Sequence, residues 1–179
     1  MKHYAALLRG INLGNRRVKM EALRAMFEQM GFTNVRTLQA SGNVVFASKT
    51  SEPAKLARAI ERQVVETFGF DSDTFVSSAE EIAKLVKLDP FAKEKLKEGS
   101  RTHISFLGQP LDTKSPFPYK APDGSFRIVA ITKTHLACIV EPTSSTLSYM
   151  DYLGKLFGAQ ATTRTWNTVL KLHEMLSEG

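Results

Sequence analysis

The sequence has one cysteine, Cys138, in 179 residues. No internal disulfide can form, which fits a reducing compartment and leaves the fold to noncovalent packing. Nor is there any apolar run near the ~20 residues that a membrane-spanning helix needs, so no membrane partner is expected. The first apolar stretch, Tyr4 to Leu8, is cut short by Arg9 before it reaches the length of a secretory core, and a cytoplasmic location is the expectation. The four histidines (His3, His103, His135 and His173) are scattered without metal-ligand spacing, so no metal site is expected. A G-x-S-x-G elbow, a paired-carboxylate motif and a kinase signature are all missing, and no cofactor is indicated. Cys138 lies within Leu136-Ala137-Cys138-Ile139-Val140, where a small buried hydrophobe is expected rather than a nucleophile.

Acidic residues are scarce where basic ones gather. Residues 1–50 hold eight Lys or Arg against Glu21 and Glu28, while the remaining 129 residues carry sixteen charges of each sign. The whole net charge of +6 therefore sits in the first third. Such a face suits an anionic partner, a small phosphate-bearing molecule or a nucleic acid, although basic surfaces also serve solubility.

Hydrophobic residues make up 42% of the chain, enough for a globular core. Tyr4 to Leu8 reads as a central strand. Met20, Leu23, Phe27 and Met30 recur at helical spacing, and Gly31 stands where a glycine would end that helix. Val35 to Leu38 and Asn43 to Ala47 read as strands joined at Ser41-Gly42-Asn43, followed by a helix from near Ser51 and Pro53 to Gly69 and a strand at Thr74 to Val76. This β-α-β-β-α-β order is that of a ferredoxin-like unit. Ser78-Ala79-Glu80-Glu81 is a capping box opening a helix that runs to Asp89-Pro90. Phe91 to Arg101 is a charged surface excursion, and Thr102 to Leu107 is a strand. Residues 109–124 contain Pro110, Pro116, Pro118 and Pro122 and predict a long loop, of a kind often functional or mobile. A strand pair at 126–131 and 135–140, a helix through Leu147 to Phe157, a short strand at 161–163 and a final helix capped by Thr165 complete the order. The fold class expected is α+β, with two ferredoxin-like (βαββαβ-type) subdomains, antiparallel sheets and an extra C-terminal helix. The expected division is a basic 1–77 and a second subdomain at 78–179.

Three segments carry a family likeness. They are Leu7-Leu8-Arg9-Gly10-Ile11-Asn12 with Val18-Lys19-Met20, then Gln39-Ala40-Ser41-Gly42-Asn43-Val44-Val45-Phe46, and Thr162-Thr163-Arg164-Thr165-Trp166-Asn167-Thr168-Val169. Together they resemble the bacterial family known as domain of unknown function 1697. The resemblance implies the two-subdomain α+β architecture and no established activity. Thr165 departs from the Asn more usual there, and either residue can cap a helix.

The candidate ligand residues gather in the same segments. Gly10 and Gly14 allow a loop whose backbone N–H groups turn toward an anion, beside Arg9, Asn12, Arg16 and Lys19 and ahead of a helix N-terminus. The spacing is neither a P-loop nor a dinucleotide fingerprint, and the alternative is a plain strand-to-helix connection. Ser41 and Asn43 either form a hairpin turn or present hydrogen-bonding groups beside that loop. Arg164 and Asn167 flank a helix start with Trp166, which either packs the last helix or stacks on a planar ligand. The reading is a binding module for an anionic, phosphate-bearing ligand, nucleotide or nucleic acid. Alternatives are a small enzyme acting on a phosphorylated metabolite and a protein-interaction or dimerisation module.

Overall fold

The computed structural model describes residues 1–39, 41–49, 52–111, 118–158 and 160–178. Ser51, expected near a helix start, Ala40 of the second motif, and residues 112–117 of the proline-rich loop lie outside the described residues. The elements run β1 (Lys2–Leu8), α1 (Met20–Gln29), β2 (Thr33–Leu38), β3 (Asn43–Ser48), α2 (Pro53–Phe68), β4 (Thr74–Ser78) and α3 (Ala79–Leu88). They continue with β5 (Arg101–Leu107), β6 (Tyr119–Lys120), β7 (Phe126–Ile131), β8 (His135–Val140), α4 (Thr146–Phe157), β9 (Ala161–Thr165) and α5 (Trp166–Ser177). The fold is mixed α and β, with two antiparallel sheets and five helices among the described residues. Contacts divide the chain into two compact units, Met1–Lys84 with Lys171–Gly179, and Leu85–Leu170.

In the first unit the strand order is β2-β3-β1-β4. β1 is central, and both its faces are buried, Tyr4, Ala6 and Leu8 on one and Ala5 and Leu7 on the other. That double burial explains why it reads as a continuous apolar run rather than an alternation. Leu23, Met26 and Phe27 of α1 and Leu56, Ile60 and Val64 of α2 pack on the Tyr4–Leu8 face with Val44 and Phe46 of β3. Phe27 meets Phe46 edge-on at 5.3 Å between ring centres, and Phe32 lies 4.6 Å from Phe46. Pairs of this kind add about 0.5–1.5 kcal/mol beyond the area they bury.

The helix boundaries follow local chemistry. Gly69 takes the left-handed conformation (φ +76°) directly after α2, and Gly31 does so (φ +82°) just past Met30, the C-cap of α1. Gly69 N–H donates to the Val65 carbonyl at 2.9 Å, ending α2. The capping box forms at the start of α3: Ser78 N–H donates to Glu81 Oε2 at 2.8 Å and Glu81 N–H donates to Ser78 Oγ at 3.2 Å.

The second unit has a sheet of order β6-β7-β8-β5-β9. Its four longer strands, β7-β8-β5-β9, repeat the order of the first sheet, with α4 between β8 and β9 as α2 lies between β3 and β4. A two-residue strand, β6, interrupts the proline-rich segment and pairs with β7 at Tyr119↔Ile128 and Lys120↔Arg127. Tyr149 and Leu153 of α4 pack on Phe126, Ile128, Leu136, Cys138 and Val140. Cys138 is fully buried, and burial pushes its thiol far above the ordinary range, so it is packed as a hydrophobe. The charged excursion before β5 is anchored by Arg127, which donates to the Glu94 carboxylate and to the Lys95 carbonyl at 3.3 Å.

Candidate functional site

β1 and β3 run antiparallel with Leu7 opposite Asn43, so the end of β1 and the start of β3 lie at the same end of the first sheet. This settles what the sequence left open: the Arg9 loop and the Ser41-Gly42-Asn43 turn are neighbours. Leu8 N–H donates to the Gly42 carbonyl at 2.8 Å. Gly42 sits at φ +72°, and a Cβ there would lie 2.7 Å from Ile11 Cγ2 and 3.0 Å from the Leu8 carbonyl oxygen. Only glycine fits between the turn and the loop. Asn43 is fully buried, and its amide nitrogen donates to the Leu38 carbonyl at 3.2 Å and to Ser41 Oγ at 2.8 Å. Its amide therefore ties the hairpin together, with Ser41 exposed at the turn.

The glycine loop is shaped from within. Asn12 Oδ1 accepts from Val18 N–H at 2.7 Å and Asn12 Nδ2 donates to the Val18 carbonyl at 3.2 Å, drawing the loop's ends together. Gly10 and Gly14 have φ of +66° and +59°. Arg16 lays its guanidinium over the Phe70 ring, 4.7 Å from its centre. Arg17 donates to the carbonyls of Gly14 and Arg16 at 2.8 and 2.7 Å. Lys19 is exposed at the N-cap position of α1, and its side chain makes no capping hydrogen bond.

Beside this loop lies a surface cleft of about 480 Å³ lined by Arg9, Gly10, Leu13, Gly14 and Arg16 on one side and Asp71, Ser72 and Asp73 on the other. The segment before β4 forms its other wall. Arg9 N–H donates to the Asp73 carbonyl at 2.9 Å, Ser72 Oγ donates to the Arg9 carbonyl at 2.8 Å, and the Arg9 guanidinium meets Asp73 Oδ2 at 3.3 Å. The Arg9 and Asp73 side chains are 41% and 47% exposed, so this is a water-screened pair worth at most about 1 kcal/mol. Asp71, Ser72 and Asp73 were not singled out in the sequence. The polar run between Gly69 and the strand was the available signal, but only the β1–β4 pairing, Leu8 opposite Thr74, brings it to Arg9.

The third group of candidates belongs to the second unit. Arg164 lies on β9 opposite Ile104 of β5 and donates from Nη1 to Thr162 Oγ1 and to the Thr163 carbonyl, both at 2.9 Å. Burial pulls its guanidinium down to about 10, which leaves it charged at neutral pH. Trp166 is half-buried and meets Phe91 edge-on at 5.6 Å, so it packs the start of α5. Asn167 is exposed in the first turn of that helix. Thr165 caps α5, its Oγ1 accepting from Thr168 N–H at 3.2 Å. Among the described residues no three His, Cys, Asp or Glu side chains gather closely enough to hold a metal ion, and no helix is long and apolar enough to cross a membrane.

Residues 1–136 match the family model described as Protein of unknown function (DUF1697). The chain belongs to this family. A solved structure described as a conserved bacterial protein from Streptococcus pneumoniae is similar to it, with 25% sequence identity, a TM-score of 0.74 and 98% of each chain covered. Comparison with curated proteins finds no match. All the candidates at the Arg9 loop and the hairpin turn fall within the part of this DUF1697 chain that the family model spans, whereas Arg164, Trp166 and Asn167 fall outside it.

Two arginines and two aspartates leave the cleft of this DUF1697 protein formally neutral.

Proposed function

We propose that this DUF1697 protein is a binding module for an anionic, phosphate-bearing ligand, a nucleotide or a nucleic-acid phosphate, seated in the cleft beyond β1. One observation carries the reading: Arg9 and Arg16 line the same cleft as Gly10 and Gly14, both of which hold positive φ. Glycines at positive φ allow loop backbones whose N–H groups face an anion, and guanidinium groups form paired hydrogen bonds to phosphate. The concentration of the net positive charge in residues 1–50 supports the same class of partner.

Within this reading Arg9 releases Asp73 when a phosphate oxygen arrives, Arg16 is held in place by Phe70, and Lys19 adds charge at the start of α1. Asn12 and Asn43 shape the walls, and Ser41 lies at the neighbouring turn. On the other unit Arg164 and Asn167 add a cation and an amide on either side of Trp166, which packs on Phe91. The strand order β2-β3-β1-β4 with a helix after β1 and another after β3 supports a ferredoxin-like first unit; the second unit repeats the strand order as β7-β8-β5-β9 with a helix after β8, but among the described residues no helix follows β5, so it departs from the βαββαβ pattern expected there. The single, buried cysteine fits the cytoplasm of a bacterium as its location.

The test is a thermal-shift panel of inorganic phosphate, nucleotides and short RNA at low and near-physiological salt. Binding to the native state raises apparent stability, and a phosphate contact weakens as salt rises. The expected result is a salt-sensitive rise that Arg9→Gln and Arg16→Gln each diminish. Asp73→Asn, which removes the competing charge and keeps the backbone hydrogen bond, should tighten binding by up to about fivefold. No shift with any anion, or a shift indifferent to both arginine variants, overturns the reading.

A further inference from the structure

In the second unit, α4 and the turn joining β6 to β7 flank a separate open cleft of about 420 Å³, within the range that takes small molecules. Its floor is aromatic. The rings of Tyr119 and Tyr152 stack 4.5 Å apart at 19°, and Phe126 backs both at 5.8 and 5.4 Å. Phe126 is buried, but both tyrosines are only half-buried, so aromatic surface remains open to the cleft.

The rim carries charges that form no ion pair among the described residues. Asp151 and Lys155 stand one helical turn apart on α4, the spacing at which Glu80 and Lys84 form an ion pair at 2.7 Å on α3. Among the described residues neither Asp151 nor Lys155 makes an ion pair. Asp123, on the turn, accepts from Ser125 N–H at 3.0 Å and Ser125 Oγ at 2.7 Å, both through Oδ1. Those hydrogen bonds hold its carboxyl below the usual range, so it is ionised at neutral pH. With two carboxylates and one ammonium, the cleft is net negative in a protein that is net positive.

We infer that this cleft is a binding site for a small guanidinium compound, the cation lying on the Tyr119–Tyr152 surface and paired with Asp123 and Asp151. An aromatic face beside carboxylates attracts cations. A guanidinium fits better than an ammonium because it is flat, weakly hydrated and able to offer two parallel N–H groups to one carboxylate. Lys155 selects further: its ammonium attracts a carboxylate, so it favours a ligand that carries one beside the guanidinium. Arginine as the free amino acid therefore suits the cleft better than agmatine, its decarboxylated counterpart. This site shares no residue with the Arg9 cleft and does not depend on the function proposed for it.

The test is a titration of the full chain with arginine, agmatine and lysine, followed by amide and aromatic chemical shifts. The expected result is saturable binding of arginine, with shifts centred on Tyr119, Ser125, Asp151 and Tyr152. Lysine should bind more weakly. Asp151→Asn and Asp123→Asn, both exposed positions, should each weaken arginine by up to about fivefold, the amount one screened charge pair supplies. Lys155→Ala should narrow the gap between arginine and agmatine. The inference is overturned if arginine and lysine perturb the spectrum equally, if the shifts fall elsewhere, or if neither aspartate variant changes the affinity. Retained amide dispersion in each variant separates lost binding from lost folding.

Discussion

Replacing Gly42 with alanine probes the contact that joins the hairpin turn to the Arg9 loop. Two costs arise. The first is conformational: Gly42 sits at φ +72°, where an L side chain loses about 1–2 kcal/mol. The second is steric, because the new Cβ would lie 2.7 Å from Ile11 Cγ2, 3.0 Å from the Leu8 carbonyl oxygen and 3.1 Å from Leu8 Cβ. Ile11 and Leu8 are each 1% exposed, so neither can move aside without disturbing the core, and overpacking of this kind costs about 1–3 kcal/mol. The total expected loss is about 2–5 kcal/mol. Gly14 supplies the control. It has a similar φ, +59°, but nothing within 4 Å of the position a Cβ would take, so Gly14→Ala should lose only the conformational part, about 1–2 kcal/mol. Global unfolding curves would mix the two units, and the only tryptophan, Trp166, reports on the second. Hydrogen exchange of the Ala6 and Leu8 amides in denaturant isolates the first unit. Equal losses in the two variants would refute the close approach of turn and loop.

Other consequences can be measured separately. Asn12→Ala removes both hydrogen bonds to Val18 and should cost about 1–3 kcal/mol, with faster exchange at the Val18 amide and new proteolytic cleavage between Leu13 and Arg17. Arg127→Ala frees Glu94 and weakens the hold on Glu141, which keeps Lys97 at 2.8 Å; the expected loss is about 1–3 kcal/mol, read by urea unfolding, with residues 93–99 becoming sensitive to protease. His103 is 7% exposed, its Nδ1 has no hydrogen-bond partner among the described residues, and burial holds its pKa below the ordinary 6.5. The unfolded chain then takes up this proton first, so the second unit has its full His103 contribution above about pH 6.5 and loses it as pH falls below that value. His103→Leu should flatten the dependence of unfolding free energy on pH in that window.

Much of the fold was legible because it is written in short-range chemistry. The apolar period of Met20, Leu23, Phe27 and Met30 marks α1, and the capping box Ser78–Glu81 forms as its residue types require. Thr165 caps α5 as its position before Trp166 predicts. The two-residue strand β6 was not legible, since Tyr119–Lys120 has too few residues to show a period and exists only through its pairing with β7. Trp166 admitted two readings, and its edge contact with Phe91, 75 positions away in sequence, favours packing.

The candidate sites divide along the same line. The sequence by itself determined the glycine loop, its cations and the polar turn, because left-handed conformations and charge are properties of single residues and near neighbours. Only the tertiary structure decided that Gly42 touches Leu8 and Ile11, that Asp73 stands against Arg9, and that Tyr119 stacks on Tyr152. Each of these joins residues more than thirty positions apart, through strand register or helix packing. Register is chosen by which faces of whole strands become buried together, and no local run of residues carries that information.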